Sequence, residues 1–158
     1  MKDSHHYACH LVWTGAARGG TKRYDGYSRE FRIDIDGKPP LAGTADAVFL
    51  GDPALHTPED MLVAALSSCH FLSYAALCAR HKIELVAYED AASGTMEKVG
   101  DVIRFTEVIL RPRATIAAGD VDAALALHHK AHDQCFIARS VNFEVRHEAV
   151  VNEVSARG

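Results

Sequence analysis

An uncharged run over residues 61–79, M-L-V-A-A-L-S-S-C-H-F-L-S-Y-A-A-L-C-A, constrains the fold of this chain more than any other feature. Thr57 precedes it as a candidate N-cap, Pro58 suits the first helical position, and the acidic residues 59 and 60 favour a first turn. The basic segment 80–82, R-H-K, complements the dipole at the other end. The sequence therefore predicts one long helix.

The same run is about as long as a bilayer span. It also holds three serines and a histidine, and Trp and Tyr do not bracket its two ends as they do at membrane interfaces. Strand-like segments precede and follow it. We therefore predict a central helix that is buried all round in a soluble domain, and we expect no association with a membrane.

Composition narrows the class of protein further. The chain has 158 residues, 48% hydrophobic residues and a formal net charge of −4, which fits one compact domain over 1–158. Its Lys and Arg are scattered and form no basic stripe, so nucleic acid is not an expected partner. The start, M-K-D-S-H-H-Y-A-C-H, has no apolar stretch of a secretory signal, so the expected location is cytoplasmic.

The remaining segments alternate between strand-like and helix-like patterns. Apolar alternation predicts strands over 8–14, 83–90, 102–116 and 140–147 and strand-like pieces over 21–35. Turns are expected around A16-A-R-G-G20 and at D25-G26, D36-G37 and S93-G94. A second helix is expected after Gly119 with Asp120 as its cap, and its apolar face ends at Cys135. This order predicts an α+β domain in which helices pack on antiparallel sheets.

Cys69 in the first helix and Cys135 on the core face of the second are the candidate reactive groups. Free cysteines are often buried only for packing, which is the alternative for both. A nucleophilic thiol must ionise, and in mid-helix that requires a nearby cation. Arg18 or Arg29 is the candidate cation, with Glu59 holding its guanidinium.

The position of Glu59 predicts an assembly. Glu59 and Cys69 are separated by about 15 Å along a straight helix, at roughly 1.5 Å per residue. One small site cannot hold both unless the helix breaks or the glutamate comes from another copy. We therefore expect a two-fold homodimer with two sites at its interface.

A metal site is the competing interpretation of the second helix. His128 and His132 are four residues apart, and Cys135 follows one turn later, a spacing that zinc can use. No second ligand pair completes the pattern, so metal remains the weaker alternative.

The sequence resembles the OsmC/Ohr superfamily of thiol peroxidases over nearly its whole length. The resemblance rests on the segments W13-T-G, G20-T-K-R-Y24, Y27-S-R29, F49-L-G-D-P, T57-P-E-D-M-L-V-A-A-L-S-S-C-H70 and on Cys135. The most specific of these is the spacing from P-E-x-L to the cysteine. The resemblance implies the OsmC-like fold and an intertwined homodimer.

The resemblance also implies roles for four residues. Cys69 attacks an organic hydroperoxide or hydrogen peroxide and becomes a sulfenic acid, and Cys135 resolves it to a disulfide that a lipoyl-type dithiol reduces. Arg18 matches the thiolate-stabilising arginine, and Glu59 the glutamate at the helix start. No cofactor is implied. Phe136 departs from the proline that follows the resolving cysteine in the peroxidase branch.

The sequence thus predicts a cytoplasmic, cofactor-free, homodimeric peroxide reductase that uses Cys69 and Cys135. The alternative is a non-enzymatic dimer that binds a small apolar ligand and keeps its thiols for packing.

Overall fold

The computed structural model describes residues 4–154 of the chain. These residues form two compact units, the first ending at Met61 and the second starting at Leu62.

The first unit contains one small antiparallel sheet. Its strands are β1 (His10–Val12), β2 (Phe31–Asp34) and β3 (Leu41–Gly43), in that order. The hairpin predicted at D36-G37 joins β2 to β3, because Gly37 takes φ 69° and the Lys38 N–H donates to the Ile35 carbonyl at 3.0 Å. The turn predicted at D25-G26 is confirmed, since the Gly26 N–H donates to the Arg23 carbonyl at 3.1 Å, but the strand predicted around it begins only at Phe31.

The long helix, α1 (Pro58–Arg80), begins where the sequence predicts. Thr57 and Asp60 form reciprocal caps: the Asp60 N–H donates to Thr57 Oγ1 at 3.1 Å, and the Thr57 N–H donates to Asp60 Oδ2 at 2.9 Å. This capping box satisfies two backbone donors that the helix leaves free. The helix then runs without a break to Arg80.

The prediction that α1 is buried all round is wrong. One face is buried through Leu66, His70, Tyr74, Leu77 and Cys78, whereas an exposed stripe contains Ala64, Ser68, Leu72 and Ala76. The helix is long and apolar enough to cross a membrane, with a mean hydropathy of 1.6, and 28% of that stretch is buried. Core helices of soluble proteins meet the same criteria, so this is weak evidence for a span.

Two three-stranded sheets and a second helix follow in the second unit. The elements are β4 (Glu84–Asp90), β5 (Ser93–Val99), β6 (Val102–Leu110), β7 (Pro112–Ala118), α2 (Val121–Gln134), β8 (Glu144–His147) and β9 (Val150–Glu153). One sheet has the order β4-β7-β9 and the other β5-β6-β8. The α+β class is confirmed, but the sheets are mixed, because β8 and β9 join them in parallel.

Two local predictions in this unit are wrong. Ser93 and Gly94 do not form a turn but begin β5, which pairs with β6. The segment predicted as one strand over 102–116 is two strands, since the chain passes from one sheet to the other at Arg111.

Helix α2 packs on α1 through a shared core. Asp120 caps α2 as predicted, with the Ala123 N–H donating to its Oδ1 at 2.6 Å. The core contains Tyr74, Leu77 and Cys78 of α1, Ala124, Leu127 and Ala131 of α2, and Ala114 and Ile116 of β7. This packing faces the Cys69 turn of α1 towards the end of α2.

Candidate active site

Cys69 and Cys135 lie side by side at the junction of α1 and α2. Cys69 is half-buried on α1, and Cys135 caps the C-terminal end of α2 with only 1% of its surface exposed. The two thiols are free, and they lie close enough that the Cys69 side chain helps to raise the pKa of Cys135. The Ala138 N–H also donates to the Cys135 sulfur at 3.4 Å. The structure therefore brings together two sulfurs that lie 66 residues apart in the sequence.

The two thiols have unequal surroundings. Burial, followed by the neighbouring Cys69 side chain, raises the pKa of Cys135 to about 11. At neutral pH the buried Cys135 thiol therefore keeps its proton, which leaves the more exposed Cys69 as the candidate nucleophile of the pair.

Arg18 belongs to the first unit, at the end of a short 3₁₀ helix over Thr14–Arg18. Its guanidinium donates to Ser28 Oγ at 2.6 Å and forms an ion pair with Glu30. The carboxylate that holds Arg18 within this chain is thus Glu30 and not Glu59. The Arg18 side chain remains 59% exposed.

Arg29 is held entirely by its own loop. Its guanidinium donates to the carbonyl oxygens of Tyr27, at 2.5 Å, and of Tyr24. It also lies over both tyrosine rings, 3.8 Å from the Tyr27 centroid and 4.9 Å from the Tyr24 centroid. Both guanidinium groups are thus paired within the chain, and Arg18 is the more exposed of the two candidate cations.

Glu59 lies in the first turn of α1, half-buried, and its Oε2 has no hydrogen-bond partner among residues 4–154. Because α1 has no break, Glu59 and Cys69 remain separated by about 15 Å along this helix, at roughly 1.5 Å per residue. Glu59 and Cys69 of one chain are therefore too far apart to share a small site, which is the premise of the predicted dimer.

A pair of buried histidines was not anticipated as part of the site. His70 follows Cys69 directly and His128 lies on α2, and both side chains are fully buried. His70 Nε2 lies 3.0 Å from His128 Nδ1, in a hydrogen bond between the two helices. The Tyr74 ring stacks on His128 at 3.7 Å, and the His147 ring of β8 lies 5.5 Å from His70. The sequence signal was a histidine on the apolar face of each helix.

Burial keeps both imidazoles neutral. Burial first, and the neighbouring histidines second, lower the pKa of His70 to about 4 and that of His128 to about 3. The outer nitrogens, His70 Nδ1 and His128 Nε2, are buried and have no hydrogen-bond partner within residues 4–154. A neutral pair of this kind shares one hydrogen bond and leaves one donor and one acceptor unsatisfied.

The alternative metal site does not form in the described part of the chain. Across residues 4–154 no group of three or more His, Cys, Asp and Glu side chains is arranged to hold a metal ion. His128 is directed to His70, and Cys135 is directed to Cys69. Two of the three proposed ligands, His128 and Cys135, thus face residues of α1, while the His132 ring lies near His147.

An open groove of about 530 Å³ lies between α1 and β4. Its lining is Ala64, Ser67, Ser68 and Phe71 of α1, and residues 85–90. At about 100° per residue these α1 positions point almost half a turn away from Cys69. The groove therefore opens on the other face of α1 from the thiol pair.

Comparison with known proteins identifies the family. The sequence model described as "OsmC-like protein" matches residues 51–149, and the chain belongs to this family. It is 30% identical over 100 residues to the uncharacterized protein YmaD of Bacillus subtilis (strain 168), covering 60% of this chain and 67% of YmaD.

Solved structures show the same fold. An OsmC-like protein of unknown function from Vibrio cholerae is 28% identical with a TM-score of 0.85, over 93% of this chain and 100% of that one. An organic hydroperoxide resistance protein from Elizabethkingia anophelis has a TM-score of 0.67 at 14% identity, over 98% of this chain and 100% of that one. The predicted OsmC-like fold is thus confirmed.

Proposed function

We propose that this chain is a thiol-dependent peroxidase that reduces organic hydroperoxides in defence against oxidative stress. The observation that carries the proposal is the contact between a half-buried Cys69 and a buried, protonated Cys135. The likeness to a fold that also serves an organic hydroperoxide resistance protein supports the reaction class. Fold likeness alone would not assign an activity, so the thiol geometry is the stronger support.

The proposed cycle has three balanced steps. The Cys69 thiolate attacks one peroxide oxygen, the O–O bond breaks, and the products are a sulfenic acid and an alkoxide that takes up a proton as alcohol. The Cys135 thiol then attacks the Cys69 sulfur, forms the disulfide and releases water. A dithiol reductant of the lipoyl type reduces this disulfide and is itself oxidised. No cofactor takes part, and the expected location is cytoplasmic.

A direct test uses intact mass and thiol counting after adding one equivalent of cumene hydroperoxide to the reduced protein. The wild type is expected to lose about two mass units and two thiols as the disulfide forms. In Cys135→Ser a sulfenic acid should be trapped on Cys69 instead. Four free thiols and an unchanged mass in the wild type would refute the peroxidase proposal.

The proposed functional unit is a homodimer. Glu59 would reach the site of the other copy, where it orients a cation such as Arg18 beside the thiolate. Support comes from the exposed stripe of α1, in which three of the four residues, Ala64, Leu72 and Ala76, are apolar. Leu72 in this stripe is 65% exposed, which is unfavourable unless a partner covers it.

Leu72→Glu is expected to dissociate the dimer. Two buried leucines contribute about 1.5–3 kcal/mol each, and a buried carboxylate adds a desolvation cost, so the dissociation constant should rise by at least about 100-fold. Light scattering after size exclusion measures the change. Val102→Glu, at a position 58% exposed, is the matched control and should leave the mass unchanged. A monomeric wild type would contradict the dimer.

The open groove favours the second candidate, a dimer that binds a small apolar ligand. Its volume and its largely apolar lining suit such a molecule. In that case peroxide leaves Cys69 unoxidised, and the ligand displaces an apolar dye that is bound in the groove. The mass experiment therefore separates the two functions.

A further inference from the structure

Two polar contacts join α1 to α2 across a core that is otherwise apolar. One is the contact between the thiols of Cys69 and Cys135, and the other is the hydrogen bond between His70 and His128. On α1 the two contacting residues are direct neighbours. On α2 they are seven residues apart.

This spacing fixes the orientation of α2. Seven residues of helix correspond to about 10 Å of rise, so the two contacts hold α2 at points almost two turns apart. A single contact lets a helix pivot about it, whereas two separated contacts do not. Rotating α2 away from α1 at the histidine end would therefore also move Cys135 relative to Cys69.

The histidine pair is a costly way to fill this space. Each outer ring nitrogen is buried without a partner among residues 4–154, and leaving a buried polar atom unpaired opposes folding. An apolar pair would avoid that cost but would also change the distance. The two ring nitrogens lie 3.0 Å apart, whereas carbon atoms in contact stay about 3.5–4.0 Å apart.

We propose that His70 and His128 are positioning residues that set the separation of the Cys69 and Cys135 sulfurs. This inference gives the histidine pair a part in the resolving step, and in that respect it rests on the proposed function. A disulfide needs the sulfurs at about 2.05 Å and tolerates a narrow range of backbone separations. The hydrogen-bonded histidine pair holds the two helices closer together than two apolar rings would. The shorter separation raises the effective concentration of one thiol at the other.

The test measures the reduction potential of the Cys69–Cys135 pair by equilibration with glutathione. The disulfide and two glutathione molecules exchange with the dithiol and one glutathione disulfide, so the equilibrium constant reports the effective concentration directly. The variant is His70→Phe with His128→Phe, which keeps two rings and removes all four ring nitrogens. Cys9→Ser serves as the background, because Cys9 is exposed and would form mixed disulfides.

The double variant is expected to show an effective concentration about tenfold lower, which raises the reduction potential by about 30 mV. Removing both partners also removes the unpaired nitrogens, so the double variant should fold at least as well as the parent. His129→Phe, next to His128 but exposed, is the matched control and should keep the parent potential. An unchanged potential in the double variant, or an equal shift in the control, would overturn the proposal.

The glutathione measurement does not depend on peroxide. If peroxide leaves Cys69 unchanged while the potential shifts as expected, the proposed function fails and the positioning role stands. If peroxide forms the disulfide at the same rate and potential in the parent and the double variant, the positioning role fails and the proposed function stands. A parent pair that forms no disulfide in any glutathione buffer overturns both.

Discussion

Cys69→Ser is expected to lower the second-order rate constant for cumene hydroperoxide by at least about 10³-fold, because a serine hydroxyl does not ionise near neutral pH whereas the thiolate is the nucleophile. Cys135→Ser should affect a different step. The buried Cys135 thiol does not attack peroxide, so the first oxidation should proceed while turnover with a dithiol stops. Peroxide consumption under single-turnover and dihydrolipoamide-coupled conditions measures the two steps separately.

The remaining cysteines supply the controls for this prediction. Cys9 is exposed, and Cys78 of α1 is buried in the hydrophobic core that α1 shares with α2. Cys9→Ser should therefore consume peroxide at the wild-type rate. If Cys69→Ser consumed peroxide as fast as the wild type, Cys69 would not be the nucleophile and the proposed cycle would be wrong.

Arg18 and Arg29 can be compared in the same assay. Arg18→Met should slow the first oxidation by about tenfold, because a cation beside a sulfur favours its ionised form. Arg29→Met should have little effect on that step, since the Arg29 guanidinium is engaged by Tyr24 and Tyr27. The reverse result would assign the thiolate-stabilising role to Arg29.

Local signals predicted α1 well. Its start depends on a capping box that Thr57 and Asp60 form with each other, so residues close in the sequence are enough to predict where the helix begins. The exposed stripe of α1 was not predicted, because an apolar helix looks alike from sequence whether its own chain or another copy covers it.

The errors in the sheets have a different physical cause. Every residue of β5 is exposed, so that strand carries no alternation of buried and exposed residues, and its Ser93 and Gly94 are typical turn residues. The parallel pairing of β8 and β9 depends on contacts with distant strands. Such contacts leave no mark in the local pattern.

Only part of the site was predicted, because the rest of it depends on contacts between residues that are far apart in the sequence. Cys69 and Cys135 lie on the apolar faces of two helices, and a shared core makes their approach foreseeable. The contact between His70 and His128 depends on the crossing of α1 and α2, which periodicity does not specify. The His128 pattern with His132 therefore suggested a metal ligand, although His128 actually faces an imidazole.

Acidification is expected to destabilise the fold through this histidine pair. In the folded protein the pKa of His70 is lowered to about 4 and that of His128 to about 3, whereas an unfolded histidine titrates near pH 6.5. Between these values the unfolded chain binds more protons than the folded one. The free energy of unfolding is therefore fully retained above about pH 6.5 and falls below it, by at most about 1.4 kcal/mol per pH unit for each histidine.

The loss should reach several kcal/mol by pH 4, and urea unfolding at pH 7.0, 6.0 and 5.0 measures its onset. His147, whose pKa is also lowered by burial, contributes with the same sign, and His129 and His132 are the other imidazoles around the pair. Carboxylates titrate mainly below pH 5, so the range from 6.5 to 5 isolates the histidines. His70→Phe with His128→Phe should lose clearly less stability there than the wild type, with the remaining slope due to His147, whereas His129→Asn should follow the wild type. An equally steep loss in the double variant would show that the acid sensitivity arises from groups other than the buried pair.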